Sequence, residues 1–238
     1  MYHSVIIDGK NTYSDWHLVP DSRPVISMPT LKKDSLIEIP GVSGSVDLMS
    51  FLIPYPVYAN RTGQLKFHVL NDKEPWEQIH HKIANHLHKR NVILKLEDDP
   101  DYFYKGFVTL NEWVSNNNGT WSDVVLDYDL DPYKISVDEY SNSFSVSNST
   151  ETVSISPSDI GSMPVCPRIV VSEIGNSGIT LTASNPEANI VDLVKNISSN
   201  GTYVYYDIVL TNLSGNNSSI LNFTGTGSVA INFDKGYL

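Results

Sequence analysis

The sequence predicts a mainly β protein in two parts, a strand-rich N-terminal half interrupted by one α-helix and a C-terminal β-sandwich. Three observations carry this. Most apolar runs alternate with polar residues at period two. One segment alone, "DKEPWEQIHHKIANHLHKRN", carries a 3.6-residue stripe: Trp76, Ile79, Ile83 and Leu87 are spaced 3, 4 and 4. The composition also changes near residues 136–138: all four Trp and all seven His precede residue 122, and after Glu139 the basic residues are Arg168, Lys195 and Lys235. The domains are therefore expected at 1–137 and 138–238.

In the first half, "SVIIDGKNTY" is an apolar run closed by a Gly turn, a hairpin signal. "YSDWHLVP" and "SLIEIP" alternate and read as strands, and "QLKFHVLN" sets Leu65, Phe67 and Val69 against Gln64, Lys66 and His68. In the helix, Pro75 suits the first turn, Asp72 can cap, and Lys89 and Arg90 suit the last turn. Its stripe is expected to lie on a sheet. Strand "NVILKLE" then leads into "LEDDPDYFYKGF", where Asp99-Pro100 has the chemistry of a type I turn, and "YFYKGFVTLNEW" leads out. Asp98, Asp99 and Asp101 are thus expected as exposed turn residues of a hairpin.

In the second half, "ETVSISP", "PRIVVSEI", "GITLTAS", "GTYVYYDIVLTN", "SILNFTG" and "GSVAINF" are short β-rich runs separated by Gly, Asn, Ser and Pro. That spacing argues for a sandwich of about 100 residues. The terminal run buries one face through Val229, Ile231 and Phe233.

Charge and composition exclude several classes. A net charge of −11 argues against nucleic acid and against an anionic membrane surface as partners. "FLIPYPVYA" is too short, and too broken by Pro54 and Pro56, to span a bilayer, and the N-terminus has no signal-peptide pattern. Cys166 stands alone and reads as a small buried apolar residue. Nine Asn-X-Ser/Thr sequons follow from Ser, Thr and Asn richness.

The search for catalytic groups is empty. The turn carboxylates do not face each other across a substrate, as glycosidase chemistry requires. His80, His81, His86 and His88 lack the i,i+4 pairing of a zinc helix; His81 and His88 share a face but lie about 10 Å apart. "GVSGS" lacks the strand-to-helix context of a nucleophile elbow, and Gly225 and Gly227 open no phosphate loop. Asp127, Asp129 and Asp131 in "LDYDLDPY" form a row on one strand face about 7 Å apart. Calcium would want converging ligands; the row reads as a solvated or subunit-facing stripe, with a shared cation as the lesser alternative. Tyr203, Tyr205 and Tyr206 are stacking candidates for a glycan, set against a packing role in the sandwich. No cofactor is expected.

In order and spacing, "DWHLVPDSRPVISMP" (15–29), "IEIPGVSGSVDL" (37–48), "YANRTGQLKF" (58–67), "IANHLHKRNVILKLEDDPDYFYKGFVTLNEW" (83–113), "LDYDLDPYKI" (126–135) and the closing "LNFTGTGSVAINFDKGYL" (221–238) resemble the distal tail proteins of long-tailed phages, the Dit-like family of baseplate hub proteins. "HLHKRN" departs from the pattern at Lys89-Arg90, where a small turn residue is expected. The resemblance implies an N-terminal β-sandwich-type domain with one α-helix and a β-hairpin, and a C-terminal β-sandwich of galectin or carbohydrate-binding-module shape. It further implies a structural, non-enzymatic protein of the siphophage virion tail tip. Six copies would form a ring joining the tail tube protein to the tail-tip hub and anchoring a receptor-binding protein for host attachment. The competing reading is a free-standing carbohydrate-binding or adhesin-like protein.

Overall fold

The computed structural model describes residues 3–32, 36–41, 43–47, 53–70, 75–88, 91–115, 121–185, 190–212 and 218–238. The chain divides into two compact units. One comprises Met1–Leu31 and Tyr58–Val137 with Leu238, the other Lys32–Val57 and Asp138–Tyr237. The chain thus leaves the first unit for good, apart from its last residue, after Val137. Residues 32–57, which the sequence places in the first domain, group with the second.

The first part of the chain forms β1 (Val5–Ile7), β2 (Lys10–Asn11), β3 (Leu18–Pro20), β4 (Leu36–Glu38), β5 (Ser45–Asp47), β6 (Arg61–Leu70), α1 (Trp76–Leu87), β7 (Asn91–Leu96), β8 (Tyr102–Ser115), β9 (Trp121–Leu130) and β10 (Lys134–Ser136). The first unit is an antiparallel sheet of order β2-β1-β7-β8-β9-β6-β3, with β10 on β8. β1 and β2 form the hairpin read from the Gly turn. Asp8 and Gly9 both have positive φ (51° and 81°), the pair a two-residue type I′ turn requires. "YSDWHLVP" is strand only over Leu18–Pro20. Ahead of it, Asn11 Oδ1 accepts from the backbone N–H of Tyr13 (2.8 Å) and Ser14 (3.1 Å), an Asx turn that competes with extension and drops Trp16 into the core.

Alternation on β6 buries Leu65, Phe67 and Val69 on one face, beside Val92 and Leu94 of β7 and Val124 and Leu126 of β9. Ile79, Ile83 and Leu87 of α1 close over that face, so the stripe lies on the sheet. Each such side chain contributes about 1.5–3 kcal/mol, which a 12-residue helix, marginal by itself, needs. Pro75 is the N-cap, one place ahead of the expected first turn. Asp72, Lys89, Arg90 and the side chain of Trp76 lie outside the described residues.

The second unit contains β11 (Tyr140–Ile155), α2 (Pro157–Ile160), β12 (Arg168–Ser172), β13 (Ile179–Asn185), β14 (Ile190–Ile197), β15 (Gly201–Val204), β16 (Ser219–Phe233) and β17 (Gly236–Tyr237). "SILNFTG" and "GSVAINF", expected as two strands, are one. β16 runs through Gly225 and Gly227 and pairs with β11 along almost its whole length. Its first part also pairs with β13, which carries β14; its second part pairs with β12, which carries β15. The two halves meet at a bend. There Gly225 and Gly227 have φ of 139° and 155°, Asn148 has φ of 49°, and the β11 register shifts between Ser147 and Ser149. Leu221, Phe223 and Leu181 from one half share a core with Val229, Ile231 and Ile169 from the other. The result is a β-sandwich built by bending one ladder. "ETVSISP" is the end of the 16-residue β11, and "GTYVYYDIVLTN" is strand only over Gly201–Val204.

Residues 32–57 begin and end side by side. Leu31 bridges Tyr58, and the Lys32 N–H donates to the Val57 carbonyl at 2.9 Å. Within this arm β4 and β5 pair only with each other among the described strands. "SLIEIP" alternates, yet neither face of β4 is buried: Leu36, Ile37 and Ile39 are each 44–45% exposed.

Candidate functional site

The acidic row lies on β9. Its even-numbered residues Val124, Leu126, Tyr128 and Leu130 line the core, so Asp127 and Asp129 point to the other face; Asp131 follows the strand and is exposed. Gln64 Nε2 donates to Asp127 at 3.0 Å, and Asn60 Nδ2 donates to Asp129 at 2.8 Å. Among the described residues no three His, Cys, Asp or Glu converge as metal ligands. Directly across from Asp129 in the ladder stands Phe107, which leaves about half its surface exposed. This face therefore sets carboxylates held by neutral amides beside exposed apolar surface.

The carboxylates of "LEDDPDYFYKGF" are used inside the chain. β7 and β8 form the expected hairpin, but only Asp101 is an exposed turn residue, and the expectation for Asp98 and Asp99 is corrected. Asp98 accepts from His3 Nδ1 at 2.8 Å and from Arg23 Nε at 2.7 Å. The His3 hydrogen bond, then Arg23, holds its carboxyl below the usual aspartate range. Asp99 pairs with Lys134 at 2.8 Å, and that ammonium lies 4.0 Å from the Tyr102 ring centroid. Glu97 accepts from the Ser4 N–H at 2.7 Å and hydroxyl at 3.0 Å. A general acid needs a raised pKa; this tip pulls Asp98 the other way.

The histidines of α1 make ring contacts: His80 and His81 meet edge-on at 5.8 Å. His86 meets Trp16 edge-on at 5.4 Å, with Nε2 3.2 Å from the Ile7 carbonyl oxygen. His80 meets Trp113 edge-on at 5.3 Å.

Tyr203 and Tyr205 are parallel, 6.2 Å apart, and packed against the sandwich core. The Tyr203 hydroxyl donates to the Ser199 carbonyl at 2.7 Å. Lys195 lies over the Tyr205 ring at 5.4 Å and pairs with Asp207. Burial, first, pushes the Tyr205 phenol up. The pair thus closes one side of the sandwich, while Tyr206 is 84% exposed.

Sequence reasoning missed Arg61, the largest fully buried side chain among the described residues. Its Nε donates to the Pro132 carbonyl at 2.8 Å and its Nη1 to the Ser27 carbonyl at 2.9 Å, with the guanidinium 5.5 Å from the Tyr104 ring centroid. Burial lowers its pKa. The signal was parity: Arg61 and Gly63 continue the inward face of Leu65, Phe67 and Val69.

No protein-family model matches the chain, and no curated protein matches it. Among solved structures it is similar to the crystal structure of the SPP1 Dit (gp 19.1) protein, described as a paradigm of hub adsorption apparatus in Gram-positive infecting phages. The TM-score is 0.64 at 16% identity, covering 100% of both chains. The chain has a Dit-like fold. At that identity the Dit-like fold is a likeness of backbone, and it spans both units.

Proposed function

We propose that this protein is a structural component of a phage tail tip, a subunit of a homo-hexameric ring that joins the tail tube to the tail-tip hub and anchors host-recognition proteins. One observation carries the reading: the likeness to a phage hub protein extends over the whole of both chains. In this reading residues 1–137 form the ring and 138–238 a second β-sandwich domain, and the protein catalyses nothing. The Asp127, Asp129, Asp131 row is then a surface between subunits. Tyr203 and Tyr205 do not favour the free-standing glycan-binding alternative, since packing and Lys195 occupy them. No described helix is long and apolar enough to cross a membrane.

Ring formation gathers −11 per copy, −6 from residues 1–138 and −5 from 139–238. Self-repulsion opposes this, and salt shortens its range to roughly 8 Å at physiological ionic strength. Purified full-length protein should therefore form rings in particle images, more completely in moderate than in low salt. If neighbouring subunits meet the row with Lys or Arg, Asp127→Asn with Asp129→Asn weakens the ring. A monomer at every salt and concentration overturns the proposal.

A further inference from the structure

The ladder between β12 and β15 ends at Gly201. It runs from Arg168 opposite Val204 to Val171 opposite Gly201, and β15 has no second neighbour among the described strands. Beyond this point the two chains diverge. Glu173 takes a φ of 54° and leaves the strand, while Ser199 and Asn200 form an exposed bend. A side chain continues the pairing that the backbone gives up: the Ile174 N–H donates to Asn200 Oδ1 at 3.0 Å. The Tyr203 hydroxyl ties the bend from the other side, donating to the Ser199 carbonyl at 2.7 Å.

Asn200 and Gly201 are the one Asn-Gly pair among the described residues, and both are exposed. The nitrogen of a glycine is the least hindered backbone nucleophile, because no Cβ flanks it. Attack by the Gly201 nitrogen on Asn200 Cγ closes a succinimide ring between groups the chain already holds together, so no encounter has to be arranged. Negative charge then develops on Oδ1. A fixed backbone N–H aimed at that oxygen stabilises it, as in an oxyanion hole, and the Ile174 N–H stands there. Asn142 and Asn148 also precede a small residue, but Ser143 and Ser149 lie inside the long ladder of β11 with β16, whereas Gly201 stands at the end of its own.

We propose that Asn200 is a self-modifying site of the native fold, converting to aspartate and isoaspartate without an enzyme. The Gly201 nitrogen forms a bond to Cγ, the Cγ–Nδ2 bond breaks, and the Gly201 proton leaves with Nδ2 as ammonia. Water then opens the succinimide. Hydrolysis of the bond from Gly201 N to Cγ gives aspartate. Hydrolysis of the bond from Gly201 N to the Asn200 carbonyl carbon gives isoaspartate, whose main chain runs through Cβ and Cγ. In both cases one amide becomes one carboxylate, and water is the only co-reactant. Aspartate keeps an acceptor for the Ile174 N–H. Isoaspartate lengthens the main chain by one atom immediately before β15, an edge strand held on one side only. The inference stands on this bend and is independent of the ring.

The test uses full-length protein held at physiological pH and temperature, then digested and mapped by mass spectrometry. The peptide carrying Asn200 should gain one mass unit and become a substrate for isoaspartyl methylation, ahead of the peptides carrying Asn142 and Asn148. Gly201→Ala puts a Cβ beside the nucleophile and leaves the fold intact, since its nearest atom would lie at 3.7 Å. Asn200→Gln keeps an amide acceptor and moves the electrophile one methylene away. Both variants should lose the conversion at residue 200 over the same interval, with the circular dichroism of wild type. The same chain in denaturant lacks the Ile174 donor, so native Asn200 should convert at least as fast as denatured Asn200. A native rate below the denatured one, or a Gly201→Ala protein that converts as fast as wild type, overturns the proposal.

Discussion

Gly225→Ala should unfold the C-terminal sandwich selectively. A Cβ at this position would lie 2.1 Å from the Gly178 carbonyl oxygen, and φ is 139°, where L residues rarely go. The obstacle is backbone, held in place by the Gly175 N–H donating to Thr226 O (2.8 Å) and the Thr226 N–H donating to Gly178 O (3.3 Å). Overpacking costs about 1–3 kcal/mol, and strained backbone adds about 1–3 kcal/mol. Together these are about 2–6 kcal/mol, and at roughly 4–8 °C per kcal/mol for a unit of about 100 residues the transition of this unit falls by about 8–48 °C. Gly201→Ala is the control: its φ is ordinary and its nearest atom is a Tyr203 ring carbon at 3.7 Å, so its effect stays within about 0.5 kcal/mol. Differential scanning calorimetry reads both units in one trace. A Gly225→Ala sandwich that melts within 2–3 °C of wild type, or a Gly201→Ala sandwich that falls as far, refutes the argument that β16 bends here because two backbones touch.

Truncation after Ser228 removes Val229, Ile231 and Phe233 from the core, at about 1.5–3 kcal/mol each, and should abolish the sandwich transition while the N-terminal unit still melts cooperatively; an unchanged trace contradicts it. Asp98→Asn tests the hairpin tip. A depressed folded pKa contributes stability that is complete above the unfolded aspartate value near 3.9 and is lost as pH falls through the folded value. The melting difference between wild type and Asp98→Asn should therefore be present at neutral pH and shrink as pH falls below the unfolded aspartate value; a difference that grows on acidification contradicts the pairing. Arg61→Met leaves the carbonyls of Ser27 and Pro132 without their donor, at about 1–3 kcal/mol each, less what is recovered by removing a buried charge. It should lower only the N-terminal transition, and a variant as stable as wild type would show that the two bonds merely offset the burial.

The elements legible in the sequence were those whose pattern is set by one buried face. β6, β7 and the stripe of α1 are of this kind, as is the terminal run through Val229, Ile231 and Phe233. β14 was not legible: Val191 and Val194 on this sheet edge are mostly exposed, so no alternation marks it. Gly225 and Gly227 misled because glycine reads equally as turn or as close approach, and only the position of Gly178 decides. The same holds for Asp98. Its turn was visible, but its partners His3 and Arg23 lie 95 and 75 residues away. Strand parity places Asp127 and Asp129 on the face away from the core, while Asp131, expected on the same strand face, lies past the end of β9.

The carboxylates of the first unit fall into two groups, and the division bears on assembly. At the hairpin tip Asp98 and Asp99 meet Arg23, His3 and Lys134, so their charge is answered within the chain. On β9, Asp127 and Asp129 accept from the amides of Gln64 and Asn60, which orient them and neutralise nothing. A neutral donor fixes the geometry of an anion and leaves its field intact. The row thus keeps its charge, beside the exposed Phe107. Arg23 and Lys66 line a groove on the far side of β6 from β9. Of these two cations Arg23 is already paired with Asp98, so the acidic row and the groove differ in character chiefly through Lys66. In the ring proposed above, unlike surfaces on a chain of net charge −11 would favour head-to-tail neighbours over face-to-face pairs.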